Sequence, residues 1–301
     1  MNLNIQKGQP QLAPRILLIG EEGVGKSTFG NRAEKPLFIC AENGLVGPEF
    51  AETSNITPSS WKEVLDTIDA LKTSKENDFR TLVIDTVDWL EPLLFAAVCG
   101  KHGKSSIEEF GYGKGYVLAG IEWRAFLSRL ENLRNSKDMA IIFLAHCEIK
   151  TFNNPLGDNY DRYQAKVVKQ ISSLTREWSD VVLFAKFEIF TNKDTQKGKA
   201  KAVGSDKRIV HTTQNAGWDA KNRYSMPDQL PLDYDEIISA IKAGKPASAG
   251  TLIEEIRGIM NSSSAFNKES ITKVEDAINK NLKNESALKQ ILNKVKVKAG
   301  E

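Results

Sequence analysis

Residues Gly20-Glu21-Glu22-Gly23-Val24-Gly25-Lys26-Ser27 fit the pattern G-x-x-x-x-G-K-[ST], and they follow directly on the apolar run Arg15-Ile16-Leu17-Leu18-Ile19. A buried strand feeding a glycine-rich turn is the context in which this pattern wraps a phosphate chain. Glycines let successive backbone N–H groups curl around an anion, and the helix starting near Lys26 aims its positive dipole end at it. The spacing therefore assigns the whole stretch, with Thr28 beside it, to nucleotide contact. Lys26 is expected to touch the β- and γ-phosphates, and the Ser27 hydroxyl to ligate Mg²⁺. The implied ligand is a nucleoside triphosphate.

Further apolar runs follow at intervals. Pro36 to Ala41, Arg80 to Asp85, Met139 to His146, Val181 to Phe187 and Arg208 to Thr213 read as strands, with helical spacing in Trp61 to Lys72 and Trp123 to Leu133. Strands alternating with helices predict an α/β fold with a mostly parallel central sheet flanked by helices. From Pro246 the texture changes, and Leu252 to Met260, Ile271 to Leu282 and Leu288 to Val297 read as short amphipathic helices. The expected organisation is an N-terminal extension over 1–10, an ATPase core over 11–245 and a helical appendage over 246–301. Lysines of the appendage suit a solvated helical face or a DNA or partner contact.

A chain of 301 residues with 41% hydrophobic content can bury one large core and a small second one, and a net charge of +2 confines any nucleic-acid contact to local patches. Three widely spaced cysteines fit neither a disulfide framework nor a paired-cysteine zinc site. No apolar run approaches membrane-spanning length, so the expectation is a soluble cytoplasmic protein without membrane contact.

Ligands of parallel sheets gather at the carboxyl ends of the strands, where Glu42, Asp85 and His146 fall. Asp85 ends an apolar strand, the placement of a carboxylate that holds the metal. Glu42 can activate a water beyond the γ-phosphate, or be a plain turn residue. His146 can sense the γ-phosphate, or serve structure alone.

Phe38-Ile39-Cys40-Ala41-Glu42-Asn43-Gly44-Leu45 resembles the strand bearing the catalytic glutamate in RecA/Rad51 recombinases, and Leu82-Val83-Ile84-Asp85-Thr86-Val87 resembles their metal-binding strand. Ile141 to His146 is similar to their switch strand, although bacterial members usually carry Gln where this chain has His. With Glu109 to Tyr116 and Ala220-Lys221-Asn222-Arg223, residues 11 to 243 look most like the short phage-encoded RecA-like ATPases of single-strand annealing and recombination. The resemblance implies ATP with Mg²⁺ as cofactors, catalytic roles for Lys26, Glu42 and His146, and Lys221 and Arg223 reaching a neighbour's γ-phosphate. It also implies a homo-oligomer with nucleotide at the subunit interface, non-sequence-specific binding of single-stranded DNA, single-strand-binding or replication proteins as partners, and the host cytoplasm as location.

By the same resemblance 100–120 and 147–169 occupy the places of two DNA-binding loops. Phe110, Tyr112 and Tyr116 offer faces for stacking unpaired bases, with Lys104 and Lys114 for phosphates. Lys150, Arg162 and Lys166 are the cations of the second segment. The first segment reads equally well as a glycine-rich lid over the nucleotide. A helicase, a nucleotide-dependent loader or scaffold, and a small-molecule kinase share the phosphate loop and remain alternatives, the kinase lacking an arginine-dense lid.

Overall fold

The computed structural model describes the chain apart from residues 1–11, 43, 194–199, 245–252, 254–255, 261–262, 264, 283 and 300–301. The expected N-terminal extension lies outside the described residues. Leu12–Gly244 forms one compact unit, and residues from Lys245 onward belong to a second.

The larger unit is a mixed α/β fold built on a ten-stranded sheet. Its parallel core comprises β1 (Arg15–Gly20), β2 (Pro36–Cys40), β3 (Ser54–Ile56), β4 (Thr81–Asp85), β5 (Ala140–Phe152) and β7 (Val181–Lys193), ordered β7-β1-β5-β4-β2-β3. β8 (Ala200–His211) and β10 (Gln229–Pro231) extend the β7 edge antiparallel, β9 (Lys221–Asn222) pairs with the start of β7, and β6 (Tyr160–Ala165) folds back on β5.

Alternation along each strand feeds two cores. Leu17, Ile19, Leu82, Ile84 and Phe143 face α2 (Trp61–Thr73), α3 (Val87–Lys101), α4 (Lys114–Lys137) and α5 (Lys169–Trp178). Ile16, Leu18, Phe38, Val83 and Leu144 face α1 (Lys26–Asn31) and α6 (Tyr234–Gly244). Because both faces are covered, these strands read as unbroken apolar runs. Gly30 lets α1 lie directly on the sheet, since a Cβ there would meet Val83 Cγ1 at 2.9 Å. On the other face Trp61, Trp123, Phe126 and Phe143 form a contiguous aromatic cluster. The Trp123 indole N–H donates to Thr175 Oγ1 at 2.9 Å, so the buried polar atom is satisfied.

Two segments differ from the sequence expectation. Residues 100–120 are mostly helical: α3 runs to Lys101, a 3₁₀ turn covers Ile107–Phe110, and α4 is a 24-residue helix that contains all of Trp123 to Leu133. The glycines at 111 and 113 adopt positive φ and lie before the first turn of α4, so they start the helix instead of breaking it. Residues 147–165 are a β-hairpin, not an irregular loop, because β5 continues six residues past His146 and pairs Cys147–Phe152 with Tyr160–Ala165.

The second unit has its own core of Ile256, Met260, Ile278, Leu288, Leu292 and Val295. Its helices α7 (Lys268–Lys280) and α8 (Glu285–Ala299) follow the amphipathic spacing, and α7 opens with a reciprocal cap between Asn267 and Ser270.

Candidate nucleotide site

Sheet register brings the functional side chains to one end. Gly20 lies level with His146 on β5, and Asp85 with Cys40 on β2, so the carboxyl ends of β1, β4 and β2 and the end of the parallel part of β5 form one rim. Past β2 the backbone hooks onto β4, with the N–H groups of Ala41 and Glu42 both donating to the Asp85 carbonyl at 2.9 and 3.3 Å. That hook sets the Glu42 side chain on the rim.

The phosphate loop turns through Gly23 at φ 72° and Gly25 at φ 102°, conformations that residues with a Cβ avoid. Val24 plugs the loop into the apolar core, while Glu22 and Gly23 stay exposed and Glu21 is half-buried. Lys26 is buried, and its ammonium donates to the carbonyls of Gly20 at 3.2 Å and Glu21 at 2.8 Å. Burial pushes its pKa down, opposed by the nearby carboxylates of Asp88 and Asp85. The α1 helix spans only six residues, so the loop amides and Lys26 carry more of the anion-binding task than the helix dipole does.

Ser27 Oγ donates to Asp85 Oδ2 at 2.7 Å. Asp85 is buried, which raises its carboxyl pKa against the lowering effect of that hydroxyl. A cavity of about 270 Å³ is lined by Gly23, Lys26, Ser27, Glu42, Asp85 and His146. The donor set fits a triphosphate with Mg²⁺: one hydroxyl and one carboxylate in contact, beside a lysine, with phosphate oxygens and waters left to complete the shell. Among the described residues no group of three or more His, Cys, Asp or Glu side chains forms a self-sufficient metal cage.

Asp88, in the first turn of α3, escaped the sequence reading. It accepts from the His146 backbone N–H at 2.9 Å through Oδ1 and pairs with His146 Nδ1 at 2.8 Å through Oδ2. Burial pushes the Asp88 carboxyl up, but the bonds from His146 outweigh it and the net pKa lies below the usual carboxylate range. An Nδ1–H donor to Asp88 leaves Nε2 as the nitrogen with which His146 can meet a ligand. The local clue was an aspartate three residues beyond Asp85, at a helix start.

Other expected site residues lie elsewhere. Lys221 and Arg223 follow the β9 pairing with Val181 and Val182, at the end of the sheet away from the phosphate loop. Lys221 Nζ donates to the carbonyls of Arg176, Glu177 and Ser179 at 2.9, 3.0 and 2.6 Å, which uses all three ammonium protons to cap α5. Lys221 is thereby held inside its own chain and is not the free cation expected at a neighbour's phosphate. Arg223 is exposed but bonds Asp180 at 3.1 Å. Arg162 is buried in an ion pair with Asp219 and stacks on Phe152 at 5.1 Å, so it is not free to meet a nucleic acid.

Phe110 packs against the core and edge-on to His102, and Tyr116 is bonded to Glu108 and stands edge-on to Phe95. Lys150 pairs with Glu148 at 2.8 Å. Tyr112, by contrast, is fully exposed on the turn before α4, and Lys104, Lys114 and Lys166 are exposed too.

No curated protein matches the chain. Among solved structures, the crystal structure of the RadB recombinase is similar at 13% sequence identity over 66% of this chain and 81% of that one, with a TM-score of 0.39. Residues 12–224, which hold the phosphate loop, the Asp85 strand and the rim between them, match the AAA domain family, and the chain belongs to that family.

Proposed function

We propose that the chain is a RecA-like P-loop ATPase whose nucleotide state governs its hold on single-stranded DNA, in recombination or annealing of the kind phages carry out. The observation that carries the ATPase reading is the 2.7 Å bond from Ser27 to Asp85 beside the buried Lys26, with Glu42 and His146 on the same cavity. The loop amides and Lys26 bind the phosphates and offset the charge that develops during phosphoryl transfer. Ser27 and Asp85 would hold Mg²⁺, which supplies further charge neutralisation when bound. Glu42 orients and deprotonates a water aimed at the γ-phosphate. His146, oriented by Asp88, contacts that phosphate through Nε2 and passes its presence to the β5–β6 hairpin, which continues the same strand.

The exposed Tyr112, between Lys104 and Lys114, supports base stacking with phosphate contact, a mode that reads no sequence. Arg223, assembly into a homo-oligomer with nucleotide at the subunit interface, single-strand-binding or replication partners and a cytoplasmic setting belong to the same proposal. Among the described residues no helix is long and apolar enough to cross a membrane.

ATP turnover with and without an oligonucleotide tests the reading, the expected result being stimulation by single strands. Glu42→Gln should lower kcat by about 100-fold or more while leaving ATP binding intact. A Glu42→Gln protein that turns over normally would remove the assigned base. Tyr112→Ala should weaken binding to single-stranded DNA by about tenfold in a fluorescence-anisotropy titration, the loss of one stacked base.

A further inference from the structure

Arg208 stands against the phosphate loop from the flank opposite the carboxylates. It lies on β8 opposite Phe187 of β7, two residues beyond the Ala185–Val210 pair, while Ala185 is level with Gly20. β8 and β7 therefore carry Arg208 past the tip of β1 on the phosphate-loop end of the sheet. A Cβ built on Gly25 would lie 2.8 Å from Arg208 Nη1, so the guanidinium rests on the last glycine of the loop. The exposed arginine could swing aside for a side chain at position 25, so it is the φ of 102° that reserves the position for glycine.

The Arg208 side chain is exposed, and among the described residues no carboxylate pairs with it; besides Gly25 it lies over the Phe187 ring at 5.8 Å. The adjacent Lys207 pairs with Glu188. The Arg208 main chain is anchored, its carbonyl accepting from Leu232 N–H at 3.1 Å. A fixed strand thus delivers an unpaired, permanently charged fork to within reach of an anion cradle.

Position tells which part of a nucleotide it meets. Asp85, His146 and Glu42 rise from β4, β5 and β2, all on one side of β1, and mark the metal and γ-phosphate side. β7 and β8 lie on the other side of β1. We propose that Arg208 is a nucleotide-binding residue that grips the α- and β-phosphates in the same chain, holding nucleoside diphosphates and triphosphates alike and taking no part in cleavage. This rests on the nucleotide site proposed above and deepens it. A planar fork suits two phosphate oxygens at once, which a lysine's point charge does not reproduce.

The test is equilibrium binding of fluorescent ADP and of a fluorescent nonhydrolysable ATP analogue to wild type, Arg208→Ala, Arg208→Gln, Arg208→Lys and Lys26→Ala, with kcat and KM measured in parallel. Arg208→Ala and Arg208→Gln should each weaken both nucleotides by a similar factor of about ten or more and raise KM, with kcat at saturation within about twofold of wild type. Arg208→Lys should recover part of the affinity. Unchanged binding of both nucleotides in the alanine and glutamine variants overturns the proposal, as does weakening of the ATP analogue alone with a fall in kcat, which would assign Arg208 to the γ-phosphate. If Lys26→Ala binds as wild type does, the underlying site reading fails instead.

Discussion

Lys26→Ala is expected to cut ATP turnover by at least about 100-fold, the cost of removing one charged group that offsets developing charge in a phosphoryl transfer. Lys26 is buried within the loop and bonded to the carbonyls of Gly20 and Glu21. Alanine leaves those two carbonyls without the donor and the phosphates without their buried cation. The fold should persist, because the neighbouring Val24 and Phe29 supply the apolar anchors of this segment. Steady-state phosphate release checks the rate, and circular dichroism checks the fold. Wild-type turnover in a folded Lys26→Ala protein would contradict the phosphate-loop assignment.

The largest expected loss of stability comes from the other end of the sheet. Asp180, just before β7, accepts from Arg15 Nε at 3.0 Å and Nη2 at 2.6 Å, from the Arg15 backbone N–H at 3.2 Å and from Arg223 at 3.1 Å, with Arg134 at 3.6 Å. Arg15 and Arg134 also share Glu131, each at 2.9 Å. Asp180→Asn keeps the shape but removes the charge, leaving two largely buried arginines with one carboxylate between them. Breaking a buried pair from one side costs about 3–5 kcal/mol, and chemical denaturation at pH 7 should show a loss of that order.

Acidity should erase the difference. Burial pushes the Asp180 carboxyl up, but Arg15 outweighs it, and the folded-state pKa lies below the usual value. A depressed pKa contributes stability that is fully present above the unfolded value, about 4 for aspartate, and is lost as pH falls through the folded value. The gap between wild type and Asp180→Asn should therefore narrow steadily below about pH 4. A gap independent of pH would mean that the loss is one of packing and not of charge.

The residues legible in the chain were those whose role shows in their immediate neighbours. Gly20 to Ser27 follow a buried strand, and Glu42 and Asp85 each close an apolar run, so their place at the strand ends could be read without a structure, whereas His146 closes only the buried, parallel part of β5. The hairpin of β5 and β6 was not legible, because Glu148 to Phe152 bury no face and leave no alternation to read. Nor was the first turn of α4, hidden in a cluster of glycines that cap it. Lys221 bonds carbonyls 42 to 45 residues away, and only the docking of β9 on β7 makes that distance short.

Local order in the chain was enough to specify a strand, a phosphate-binding turn and acidic strand ends, because each depends on residues adjacent along the backbone. Which cations stay free to act was decided by tertiary packing. Arg162 and Lys221 are consumed by Asp219 and by the end of α5, whereas Arg208 is set against Gly25 without a carboxylate partner among the described residues. The reason is electrostatic: Lys150 finds Glu148 two residues away, but Arg162 and Lys221 pair with a carboxylate and carbonyls more than 40 residues distant that only the folded sheet brings within a few ångströms.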